Sequence, residues 1–237
     1  MNKQNRSILR VTFVCVLLGC SAIAHSKENP NIVVILVDDM GYGDTGCFNP
    51  DSKIATPNIN SLARDGMRFT DAHAPGPLCH MSRYGLMTGR YPFRTNVGLW
   101  RKQPLIEPGQ TTIATLAKAQ GYRTAMVGKW HLGFKENGYE NPLPGGPVDR
   151  GFDSYFGIRA STDIPPYFYI RGNKAVEPPT NHREAENSEG WTRIQGNFIR
   201  AGASAPNLQL NDVLPAFHDQ APILLVGHHT NSTRQPA

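Results

Sequence analysis

A cysteine and an arginine stand four positions apart in PLCHMSRYGLMTGR, residues 77–90, as Cys79 and Arg83. On a helix such a pair shares one face. A cysteine near a helix start also sees the positive end of the dipole and N–H groups without helical partners, a setting that favours an anion. MVGKWHLG places Lys129 and His131 on either side of Trp130. At strand spacing those two side chains point one way and Trp130 the other, which makes a clamp of two potential cations. The plainer alternative is an exposed strand end with ordinary charges. VVILVDDM closes an apolar run on Asp38 and Asp39. Adjacent carboxylates repel one another unless a cation offsets them, and hard oxygen donors suit calcium or magnesium. Two acids ending a strand in solvent would need neither.

The thiol of Cys79 has competing explanations, and the amino terminus bears on them. MNKQNRSILR carries Lys3, Arg6 and Arg10 without an acid, VTFVCVLLGC is a short apolar run, and SAIAH offers small residues at Ala22 and Ala24. Residues 1–24 therefore read as an export signal cleaved after Ala24, placing the chain in the periplasm or outside the cell. Leu17-Leu18-Gly19-Cys20 also resembles a lipoprotein box, which makes a lipid anchor on Cys20 the lesser alternative. Cleavage removes Cys15 and Cys20 and leaves Cys47 and Cys79, which could pair in an oxidising compartment. A disulfide would not require the arginine, and burial of the thiol would not explain His80, Ser82 and Arg83 beside it. Of the 24 basic residues, 21 remain against 19 acidic ones, a net of +2. That balance gives little support to a nucleic-acid partner. No transmembrane helix is expected in the mature chain.

These residues need elements to hold them. NIVVILVDD, 31–39, reads as a fully buried strand of a parallel sheet. Thr56-Pro57 opens a capped helix that stops at Gly66, with Ile59, Leu62 and Ala63 on its inner face. MRFTDAHA is a short strand candidate. A helix runs from near Cys79 to Gly89. TTIATLAKAQGY repeats the capped pattern, with Ile113, Leu116 and Ala117 inward and Gly121 as its end. RTAMVGKW is a strand. DIPPYFYIRGNKAVEPP holds a short strand or hairpin, and a final helix from VLPAF is interrupted at Pro222. The order favours an α/β domain with a mostly parallel central sheet flanked by helices.

Together the segments resemble the amino-terminal half of the sulfatase family, within the alkaline-phosphatase-like superfamily. NIVVILVDDMGYGD, TPNINSLARDGMRFTDAHA, CHMSRYGLMTGRYPFR, AMVGKWHLG and DRGFDSYFG follow the family's order and cover most of residues 30–157. The resemblance implies an alkaline-phosphatase-like fold, here incomplete, and hydrolysis of sulfate esters. It implies that Cys79 is oxidised after synthesis to formylglycine. One hydroxyl of the hydrated aldehyde attacks sulfur and releases the alcohol, and the second lets the sulfated intermediate collapse to aldehyde and sulfate. Carried over position by position, Asp38 and Asp39, with residue 79, hold one calcium ion, magnesium being the less expected metal. Cys79 supplies the nucleophile, Arg83 steadies it, and Lys129 and His131 contact the sulfate or the leaving oxygen. The implied partners are a sulfated small molecule or glycan and the formylglycine-generating enzyme.

Two features depart from the pattern. Position 81 is Met where the family carries Pro or sometimes Ala, in the segment that the modifying enzyme reads. The family's later metal pair, in a GDNG-like segment, does not occur, and His228 and His229 are assigned no role. Residues 25–237 are thus expected to be the amino-terminal part of a sulfatase domain, incomplete or inactive as it stands. The alternatives are a non-catalytic remnant that binds anions and a phosphoester or phosphonate hydrolase of the same superfamily.

Overall fold

The computed structural model describes residues 30–98, 103–189 and 198–229, with side chains to Ile223 in the last segment. The export signal, its cleavage after Ala24 and the lipid alternative at Cys20 lie outside the described residues. Two units divide the chain, one ending at Arg64 and the other beginning at Asp65. No described helix is long and apolar enough to cross a membrane.

In the first unit the expected strand at 31–39 is absent. Residues 30–37 carry no regular structure and belong to no sheet. Their apolar side chains face solvent, from 48% exposed at Leu36 and Val37 to 77% at Ile35. Apolar composition makes a segment suitable for a central strand, but only partner strands on its edges make it one. A 3-10 turn, Tyr42–Asp44, is closed by the Asp44 carboxylate, which accepts the Gly41 N–H at 2.7 Å. Helix α1, Pro57–Asp65, starts and stops where its sequence signals place it. The Thr56 hydroxyl accepts the Gly46 N–H at 3.0 Å and donates to Asn60 Oδ1 at 3.1 Å. The expected inner face is only half covered: Ile59 and Ala63 are partly buried, while Leu62 is 69% exposed.

The second unit holds helices α2, Cys79–Thr88, α3, Ile113–Ala119, and α4, Val213–His229. Its sheet has the order β1 Ala125–Lys129, β2 Ser154–Ile158, β3 Tyr169–Arg171 and β4 Lys174–Ala175. The β1–β2 pair is parallel, in the register Gly128↔Gly157 and Lys129↔Ile158, and the β2–β3 and β3–β4 pairs are antiparallel. The fold is α/β with a mixed sheet. Two small antiparallel pairs join β5, Asn181–Arg183, to β8, Gly202–Ser204, and β6, Glu186–Asn187, to β7, Phe198–Ile199. The expected hairpin is β3–β4, turned through Gly172 at φ 61. The expected strand at 67–74 does not form, and those residues are exposed.

The apolar core gathers around Trp130, Phe134, Leu143, Phe168 and Ile170, each at most 1% exposed. It lies against the end of β1 and so fixes where Lys129 and His131 start. Helix α3 is capped as expected, with Thr115 N–H donating to Thr112 Oγ1 at 3.1 Å. Its buried residue, however, is Ala114, while Ile113 and Leu116 are 39% and 59% exposed. Gly151 sets this rotation: a Cβ there would lie 2.6 Å from Thr115 N, and Thr112 Oγ1 donates to Arg150 O at 2.7 Å. Pro222 lies within α4 and does not interrupt it. It removes one N–H from the ladder, a local loss that the turns on either side outlast.

Candidate active site

Cys79 is the first residue of α2. Leu78 precedes it in extended backbone, and the first helical bond runs from Ser82 N–H to Leu78 O at 3.0 Å. Ser82 Oγ reaches back to Gly76 O at 2.7 Å and ties the helix start to the Pro75–Pro77 bend. At the other end Gly89 adopts φ 66 and donates to Gly85 O, as a left-handed C-cap does. Cys79 is half-buried and forms no disulfide, and neither does Cys47.

One turn on, Arg83 is buried, and its Nη1 donates to Lys129 O at 2.7 Å. That bond joins α2 to the last residue of β1. Lys129, also buried, sends its Nζ to Ser161 Oγ at 2.7 Å. His131 follows two residues later, but not by strand alternation. It takes φ 56, and its N–H donates to Arg159 O at 2.9 Å. The expectation that a continuing strand aims Lys129 and His131 alike is corrected here: the strand ends at Lys129, and a left-handed residue redirects His131.

The electrostatics of His131 report what surrounds it. Its pKa is pushed down to about 3, first by burial and then by Lys129, His80, Arg83 and Arg159. Burial likewise lowers His80, with Lys129 adding to the effect against a raising bond to Val97. The imidazoles of His80 and His131 lie 5.7 Å apart between centroids, tilted by 52°. Both are neutral at physiological pH: the Lys129 cation bears on both rings, and Arg83 and Arg159 bear on His131 as well. Such a place suits an anion and repels a cation.

Sequence reasoning missed three contributors. His80 stood only as a polar neighbour of Cys79. Ser161 lies 32 residues from the lysine it holds, in GIRASTD, where no local pattern links them. Arg159 follows β2 and pairs with Glu136, Nε to Oε1 at 2.5 Å, with side chains 11% and 4% exposed.

Asp38 and Asp39 belong to the first unit, where both are exposed and Asp39 has φ 60. No three His, Cys, Asp or Glu side chains among the described residues come together as a metal-binding group. Calcium takes about six to eight oxygens. The described residues do not compose that site.

The sulfatase family model matches residues 30–197. Mouse steryl-sulfatase is 36% identical over 221 residues, covering 89% of this chain and 32% of the relative. Human arylsulfatase A is 40% identical over 155 residues, covering 64% and 29%. The N-acetylgalactosamine-6-O-sulfatase of Bacteroides thetaiotaomicron is 32% identical over 187 residues, covering 74% and 36%. A solved structure from work on glycosaminoglycan metabolism by the same organism superposes with a TM-score of 0.71 at 27% identity, covering 84% of this chain and 48% of that one. The chain thus spans about a third of the length of the curated relatives it matches. With five motifs in order, the matched family model and the shared fold, the chain belongs to the sulfatase family.

Proposed function

We propose that this chain carries the nucleophile and part of the anion-binding site of a sulfuric ester hydrolase. Its substrate is a sulfated small molecule or glycan, and it is exported through residues 1–24. Cys79, at the start of α2, is the nucleophile position, and its oxidation to formylglycine supplies the geminal hydroxyls that attack sulfur and later expel sulfate. Arg83 steadies that residue from one turn away. Lys129 and Arg83 stabilise the charge that develops on the sulfuryl oxygens, as preorganised cations do in a water-poor site. His131, neutral over the working pH range, offers one ring nitrogen to the leaving oxygen or the nucleophile. Asp38 and Asp39 would contribute to a calcium site that the described residues do not complete.

The observation that carries this reading is the Arg83–Lys129 bond, which brings the helix bearing Cys79 to the strand end bearing Lys129 and His131. The test is co-expression with a formylglycine-generating enzyme, followed by mass spectrometry of the peptide containing Cys79 and titration with inorganic sulfate. Conversion of Cys79, together with sulfate binding that Lys129→Met weakens about tenfold, is the expected result. An intact thiol under those conditions would favour the anion-binding remnant or the phosphoester hydrolase.

A further inference from the structure

Two buried imidazole nitrogens near the helix start make no hydrogen bond among the described residues: Nδ1 of His80 and Nδ1 of His131. His80 is 2% exposed, and its other nitrogen, Nε2, lies 2.9 Å from the Val97 carbonyl oxygen. A carbonyl only accepts, so Nε2 of His80 carries the proton. In a neutral ring Nδ1 is then a bare acceptor. A buried acceptor without a donor is costly, and the molecule holds a ring that can supply one. The His131 imidazole is 5.7 Å away between centroids, and its own buried, unbonded atom is also Nδ1. The χ2 well of histidine is broad, so the His131 ring has latitude to turn about χ2 while His80 stays held on the Val97 carbonyl.

We propose that His80 is a positioning residue that fixes the tautomer of His131, by accepting a hydrogen bond from His131 Nδ1–H and anchoring the pair on the Val97 carbonyl. Both orphaned atoms are satisfied by one bond. The proton on Nδ1 leaves Nε2 of His131 as the lone pair offered to the reacting groups. A ring whose tautomer is set by the bond at its far nitrogen presents a defined partner to the substrate, the role a carboxylate takes in other histidine-based sites. A carboxylate here would add a negative charge to an anion pocket, and a second neutral imidazole orients without that penalty. The inference rests on the reading that His131 serves the active site.

The test is nitrogen-15 NMR of the histidine rings in the 237-residue protein, which assigns the tautomer without any turnover. In the unaltered chain His131 is expected to show Nδ1–H with Nε2 unprotonated, and His80 the reverse. In His80→Phe, which keeps a ring but removes the acceptor, the His131 Nδ1–H form should be lost. His80→Asn, whose amide oxygen stands near the place of Nδ1, should restore it. Nε2–H on His131 in the unaltered chain, or an unchanged His131 tautomer in His80→Phe, overturns the proposal. If His80→Phe does not fold, the tautomers of the unaltered chain and a proton contact between the two rings decide alone. Because the readout is a tautomer, failure of the sulfatase reading shows separately, as an intact thiol at Cys79.

Discussion

The guanidinium of Arg83 donates to the main-chain carbonyl of Lys129 at 2.7 Å, across 46 residues of sequence. A charged side chain thereby holds the end of the strand that carries Lys129. Arg83→Ala leaves a buried carbonyl without its donor, an expected loss of about 2 kcal/mol in urea unfolding. Arg83→Lys keeps the charge without the planar fork and should recover only part of that loss. Wild-type stability in the alanine variant would show that the bond contributes nothing.

The depressed pKa of His131 predicts an acid-sensitive fold. Below about pH 6.5 an unfolded imidazole gains a proton. The folded ring, facing Lys129 on β1, His80 and Arg83 on α2, and Arg159 beyond β2, stays neutral down to about pH 3. In that window the unfolded state binds more protons, so stability is full above pH 6.5 and falls as the pH drops towards 3. At roughly 1.4 kcal/mol per unit, the effect is at most about 5 kcal/mol. His131→Gln should flatten much of the slope between pH 4 and 6.5, with His80 supplying the remainder. Identical pH profiles for the two proteins would contradict the assignment.

Met81→Pro should raise conversion of Cys79 to formylglycine. Met81 is the third residue of α2, and the first helical bond uses the Ser82 N–H, so proline at 81 costs no hydrogen bond. The peptide mass after co-expression with the generating enzyme measures the outcome. Equal conversion in both proteins would mean that methionine is read as well as proline.

Gly157→Ala should break the sheet that aims Lys129. Gly157 sits opposite Gly128 in the parallel register, and a Cβ there would lie 1.8 Å from Gly128 O and 2.6 Å from Tyr155 Oη. Neither backbone can retreat without opening the β1–β2 pair, so the expected cost exceeds about 4 kcal/mol in chemical denaturation. Gly172→Ala, at φ 61 with open space around it, should cost only about 1–2 kcal/mol. Equal costs would show that backbone conformation, and not the close strand approach, decides both sites.

Local signals carried far in this chain. The start of α2 at Cys79, its stop at the left-handed Gly89, the Thr112 cap of α3 and strand β1 were all legible, because capping, φ preference and short-range periodicity act within a turn or two. So was the family, through motifs whose order survives in one dimension. What the sequence could not decide depended on partners elsewhere. Residues 31–37 have a strand's composition yet lie outside every sheet, since ladder bonds come from neighbouring strands. The inner side of α3 is Ala114 because Gly151 approaches Thr115 there, which no reading of IATLAKA contains. His131 is aimed by a positive φ and by Arg159 O, Lys129 is held by Ser161, and His80 meets His131 at a separation of 51 positions in the chain. The residue types were written in the sequence, but their meeting was decided by long-range packing, whose pairings no local preference encodes.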